Sequence, residues 1–147
     1  MEVKIMLSLP QDAASVPVGR QVLDGCLDTL GVLPDTRADI ALALTEACTN
    51  VVRHAEPSDA YKVTASTRDG RCVIEVLNSG VAPTPLMPPG PVPPTAEHGR
   101  GLKIMDAVVD DLRLTGDRRL GTTTVHFEKD LKWAPGTAAE QLFSTED

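Results

Sequence analysis

Thr45–Ala55, TEACTNVVRHA, decides how the chain is read. At about 100° per residue, Ile40, Leu44, Ala47, Cys48, Val51 and Val52 gather on one arc of a helix. Glu46, Asn50, Arg53 and His54 gather on the other. An ordinary solvated face would carry Glu–Lys pairs. Asn is a poor choice there, because its amide competes with the backbone for hydrogen bonds. The helix is expected to open at Pro34-Asp35, run to about Ala55 and stop before Pro57.

Working outward, VKIMLSLP before Pro10 reads as a first strand. Val18, Val22, Leu23, Cys26, Leu27 and Leu30 have helical spacing, and Gly31 suits a helix C-terminus. Downstream, AYKVTASTR and RCVIEVLN are β-prone and joined at Asp69-Gly70, a strong hairpin signal. The next segment holds seven of the chain's twelve prolines and can be neither a helix nor a central strand. GLKIMDAVVDDL is helical again, with Leu102, Ile104, Met105, Val108 and Val109 on its apolar side. LRLTG and TTTVHFEK close the chain as two strands. This order predicts an α+β two-layer sandwich, a mixed and mostly antiparallel sheet with helices on one face. A single domain over residues 1–130 is expected, with a lid over about 81–97 and a polar, acidic, loosely ordered tail over 131–147.

Composition narrows the function. The formal net charge of −7 argues against a phosphate-tracking nucleic-acid binder, which needs a basic face. No run approaches the ~18 apolar residues of a membrane span, and the N-terminus lacks the pattern of a secretory signal. Cys26, Cys48 and Cys72 are odd in number, without a CxxC pair, and sit in apolar stretches. They read as buried thiols of a cytoplasmic protein.

Four features can carry chemistry. Glu46 and Asn50 are neighbours one turn apart, and a carboxylate beside a neutral amide oxygen suits Mg²⁺, which takes few protein ligands and leaves the rest to water and phosphate. The carboxylate can orient or deprotonate an attacking nucleophile. In EHGRGLKIMD, Gly99 and Gly101 stand just ahead of the expected helix and let its backbone approach an anion, with Arg100 and Lys103 adding charge. In VIEVLNSG, strand alternation turns Asn78 to the core side with Ile74 and Val76, and Gly80 allows a sharp turn or a flat ligand against the backbone. In GTTTVHF, Thr123 shares the inward parity of Val125 and Phe127. Each feature alone is weak, since solvated helix faces, Asn-Ser-Gly turns and inward threonines are common.

In this order and spacing they resemble the GHKL ATP-binding superfamily and, more narrowly, the bacterial anti-sigma-factor serine/threonine kinases. LTEACTNVVRHA is similar to its N-box, VLNSG to its adenine-contacting motif, HGRGLKIMDAVVDDL to its second glycine box, and GTTTVHF to its closing strand. The resemblance spans about Val3 to Lys129. It implies ATP and Mg²⁺ as cofactors, Glu46 as catalytic carboxylate and Asn50 as metal ligand. It places His54, Asn78, Gly80, Gly99, Arg100, Gly101 and Thr123 around the nucleotide. Implied partners are a sigma factor and an anti-anti-sigma antagonist of the STAS type, with a homodimer as the implied assembly. The sequence departs from the family at residue 78, where Asn replaces the usual Asp. A binding module that acts on its partners without catalysis is the alternative.

Overall fold

The computed structural model describes residues 2–54, 60–78, 97–117 and 122–143, with backbone alone at 54, 97–100 and 117. The elements run β1 (Val3–Pro10), α1 (Ser15–Leu30), α2 (Pro34–His54), β2 (Ala60–Arg68), β3 (Arg71–Asn78), α3 (Glu97–Val108), β4 (Asp111–Asp117), β5 (Thr122–Asp130) and α4 (Ala138–Phe143). The five strands form one sheet in the order β1-β2-β3-β5-β4, and every pairing is antiparallel. The β2–β3 turn puts both Asp69 and Gly70 at positive φ (54° and 74°), the twist that a tight hairpin requires.

Alternation along the strands sorts the two faces of the sheet. Tyr61, Val63 and Ala65 on β2, Cys72, Ile74, Val76 and Asn78 on β3, and Thr123, Val125 and Phe127 on β5 are buried under the helices. Their neighbours in sequence face out. The α2 stripe meets this layer as its spacing requires: Ile40, Leu44, Ala47, Cys48 and Val51 are buried, and so is Ala43. Between helix and sheet, Ser15 Oγ and Tyr61 Oη lie 2.7 Å apart, and the Cys48 thiol also bonds the Tyr61 hydroxyl. Burying a phenol is cheap only when its hydroxyl finds such partners.

Three expectations change. In α1 the core side is Val16, Gly19, Leu23, Leu27 and Leu30, while Val18 and Val22 face outward, 51% and 42% exposed. The helix carries two apolar stripes, and only one can lie against the sheet. Helix α3 begins at Glu97, so Gly99, Arg100 and Gly101 belong to the helix itself rather than to a turn ahead of it.

The third change concerns the C-terminal segment, expected to be loosely ordered. Its described part folds back over the domain, burying Leu131, Ala139 and Phe143 in the core. Trp133 bridges to Val32 and meets the Phe143 ring edge-on at 5.4 Å. Gly31, which ends α1 at φ 96°, has no room for a side chain either, since a Cβ there would overlap Thr137.

Candidate functional site

Helix α2 presents its polar side to α3. Asn50, placed by the sequence on the polar side, is only 6% exposed because α3 covers it. Its Nδ2 is buried and has no hydrogen-bond partner among the described residues. Leaving such an amide unsatisfied costs on the order of 1–3 kcal/mol, which makes it a poor choice for structure alone.

Gly101 explains how the helices come so close. A Cβ built on it would stand 2.8 Å from Glu46 Oε2 and 3.9 Å from Asn50 Oδ1. The carboxylate and the amide oxygen therefore converge on the glycine of the GRG triplet. Leu102 and Met105, one and four residues further on, are buried and anchor α3 from the other side. A half-turn about χ2 exchanges the two ends of the Asn50 amide, so its oxygen can also take the unpartnered position.

The far wall is the inner face of the sheet. Asn78 is fully buried, and strand register sets it opposite Thr123 on β5 and Tyr61 on β2. Thr123 is 7% exposed and faces the same way. Strand parity alone was enough to anticipate both. His54 lies at the end of α2 and Gly99 and Arg100 in the first turn of α3, by their backbone. Gly80 and the expected lid up to residue 96 lie outside the described residues. Lys103 is exposed on α3. The structure thus gathers Glu46, Asn50 and Gly101 at the α2–α3 contact, with Asn78 and Thr123 paired across β3 and β5. The sequence does not reveal that Gly101 serves close helix packing, because its proximity to Glu46 exists only once α3 docks.

A divalent cation fits this donor set. Glu46 offers a carboxylate, Asn50 an amide with one buried end unpartnered, and Gly101 leaves open the volume a side chain would fill. Among the described residues, no helix is long and apolar enough to cross a membrane.

Comparison with known proteins agrees with this geometry. The model of the histidine kinase-like ATPase domain matches residues 9–128. Among curated proteins, the serine-protein kinase RsbW of Bacillus mycoides (strain KBAB4) is 29% identical over 125 residues, covering 78% of each chain. The RsbW of Bacillus cereus (strain ATCC 10987 / NRS 248) matches to the same extent. Among solved structures, the RsbU and RsbW domains of Rv1364c from Mycobacterium tuberculosis superpose with a TM-score of 0.69 at 22% identity, over 88% of this chain and 32% of that longer one. That likeness is one of fold. With a family match over residues 9–128 and the α2–α3 geometry behind it, this chain belongs to the histidine kinase-like ATPase domain family of the GHKL type.

Proposed function

We propose that this protein is a bacterial anti-sigma factor with serine/threonine protein kinase activity. It would bind Mg·ATP between α2, α3 and the inner face of β3 and β5, and phosphorylate a STAS-type anti-anti-sigma antagonist while sequestering a sigma factor. The observation that carries this reading is the convergence of Glu46 Oε2 and Asn50 Oδ1 on Gly101. The likeness to serine-protein kinases named RsbW supports the substrate class. A cytoplasmic homodimer is the assembly that goes with it.

In this reading Asn50 supplies the protein ligand to Mg²⁺, and Gly99, Arg100 and Gly101 lie along the phosphates. Bound Mg²⁺ neutralises phosphate charge and fixes the phosphates for in-line transfer. Glu46 accepts the proton of the attacking serine or threonine hydroxyl, as a carboxylate within hydrogen-bond reach can. Asn78 accepts from the adenine amino group through its amide oxygen, beside Thr123. A neutral acceptor is worth roughly 1–2 kcal/mol less than a charged one, so affinity should be about tenfold below that of an Asp-bearing site.

Calorimetric titration of Mg·ATP into wild type, Asn50→Ala and Asn78→Asp tests the site. Transfer of labelled phosphate to the antagonist by wild type and Glu46→Ala tests the chemistry. Binding by wild type, its loss in Asn50→Ala and loss of transfer in Glu46→Ala are expected. If wild type takes no nucleotide at millimolar ATP and Asn78→Asp restores it, the protein is a binding module and not a kinase. If Glu46→Ala transfers phosphate at the wild-type rate, Glu46 is not the base.

A further inference from the structure

Asn78 closes β3 on the inner face of the sheet and is fully buried there. Register sets it between Tyr61 on β2 and Thr123 on β5, with Val76 two residues before it on the same face. Tyr61, Thr123 and Val76 carry no charge near neutral pH, since burial pushes the Tyr61 phenol up to about 12. We infer that Asn78 sets which purine edge the site accepts, and that it admits the triphosphates of 6-oxo purines, hypoxanthine and guanine, beside ATP. The inference rests on the proposed reading in which residue 78 meets the base of a bound nucleotide.

An ionised carboxylate only accepts hydrogen bonds, whereas an amide carries a donor and an acceptor side by side. Adenine presents a donor at its 6-amino group and an acceptor at N1. Hypoxanthine and guanine present the reverse, an acceptor at O6 and a donor at N1. The Asp that the family usually has at this position meets the 6-amino group well and O6 badly, acceptor against acceptor. The amide of Asn78 serves both edges. With its oxygen towards the 6-amino group, Nδ2 donates to N1. After a half-turn about χ2, Nδ2 donates to O6 and the oxygen accepts from N1–H. The two orientations have nearly the same shape, so neither needs a wider pocket.

The neighbours in the sheet suit both orientations. Thr123, directly across from Asn78, has a hydroxyl that donates or accepts as it rotates. The Tyr61 hydroxyl is engaged by Ser15 Oγ at 2.7 Å and by the Cys48 thiol. With no charged side chain at these register positions, no field from them favours one end of the amide over the other. A polar site selects its ligand through the groups that the wrong ligand leaves unpaired. The amide leaves neither purine edge unpaired, so selectivity between the edges falls.

The test is calorimetric titration of the intact protein, wild type and Asn78→Asp, with Mg·ATP and Mg·ITP. ITP differs from ATP only at the 6-position and N1, and so reports on this edge without the 2-amino group of guanine. Wild type should bind the two with dissociation constants within about tenfold of each other. Asn78→Asp should bind ATP about tenfold more tightly and ITP at least about tenfold more weakly than wild type does. The rise in melting temperature with each nucleotide should follow the same order. Should Asn78→Asp fail to fold, the wild-type ratio decides alone. The inference is overturned if wild type binds ATP and disfavours ITP by more than about tenfold, or if the ratio is the same in both proteins, so that residue 78 does not read the base. Either of those results, with ATP bound, leaves the nucleotide site standing. Wild type that takes neither nucleotide sinks the site and the inference together.

Discussion

Gly101 of α3 packs directly against the carboxylate of Glu46 on α2. A Cβ on the glycine would meet Oε2 of the carboxylate at 2.8 Å, inside the distance at which carbon and oxygen rest in contact. The atom it meets is the far end of a flexible side chain, so the backbone need not move. The carboxylate must.

Gly101→Ala should therefore separate stability from activity. Ala is favoured over Gly inside a helix by about 1 kcal/mol, which offsets the cost of turning Glu46 aside. The expected result is a melting temperature equal to or slightly above wild type, with phosphate transfer to the antagonist reduced at least tenfold, equivalent to ~1.4 kcal/mol of barrier. Thermal denaturation and a transfer assay on one preparation check it. A fully active Gly101→Ala would show that the position of Glu46 does not matter to the reaction.

Asn78→Asp should trade stability for affinity. Residue 78 is fully buried, and a carboxylate there without bound nucleotide is an ion removed from water. The variant should lose on the order of 1–3 kcal/mol in urea denaturation without ligand. With saturating Mg·ATP it should recover most of that loss, and bind nucleotide about tenfold more tightly than wild type, because a charged acceptor strengthens the bond to the adenine amino group. Equal loss with and without ATP would mean that residue 78 does not meet the nucleotide.

How far the sequence reaches depends on whether a signal is local. The α2 stripe was legible because one strong period of 3.6 spans Ile40 to Val51 and α2 packs that side on the sheet. The hairpin was legible because Asp69-Gly70 supplies the positive φ that the turn demands. Parity alone placed Asn78 and Thr123 inward. In α1 the choice between two apolar stripes is made by the sheet, not by the helix. At the C-terminus, Leu131, Trp133, Ala139 and Phe143 follow no period, and their burial rests on contacts with Gly31 and Val32 about a hundred residues earlier. On the outer face, Glu75, His126, Glu128 and Asp111 meet only once β3, β5 and β4 are in register.

That C-terminal clamp gives a further prediction. Phe143→Ala removes a ring that is 6% exposed and packed edge-on against Trp133, and should cost about 3 kcal/mol. Gly31→Ala should be as damaging for two independent reasons, the positive φ of 96° and the overlap with Thr137. Chemical denaturation measures both. If truncation after Asp130 leaves the denaturation midpoint unchanged, the segment is no part of the folded unit.

Alkaline pH should weaken the fold through three buried acids. Burial pushes the Cys48 thiol up to about 11 from 9.0 and the Cys72 thiol to about 12 from 9.0, and burial pushes the Tyr61 phenol to about 12 from 10.0. Each folded value lies above its unfolded value, so the folded state holds these protons more tightly. The stability that these three groups contribute is whole well below pH 9 and falls as the pH rises from 9 towards 12, each group losing ~1.4 kcal/mol per pH unit while it is ionised only in the unfolded chain. Urea midpoints under reducing conditions should drop steeply above pH 9, and Cys72→Ala should make that drop shallower. The same burial protects the thiols from alkylation. Near neutral pH iodoacetamide should modify Cys26, which is partly exposed, and leave Cys48 and Cys72 unmodified until the protein unfolds. Modification of Cys48 in the native protein would contradict its place between α2 and Tyr61.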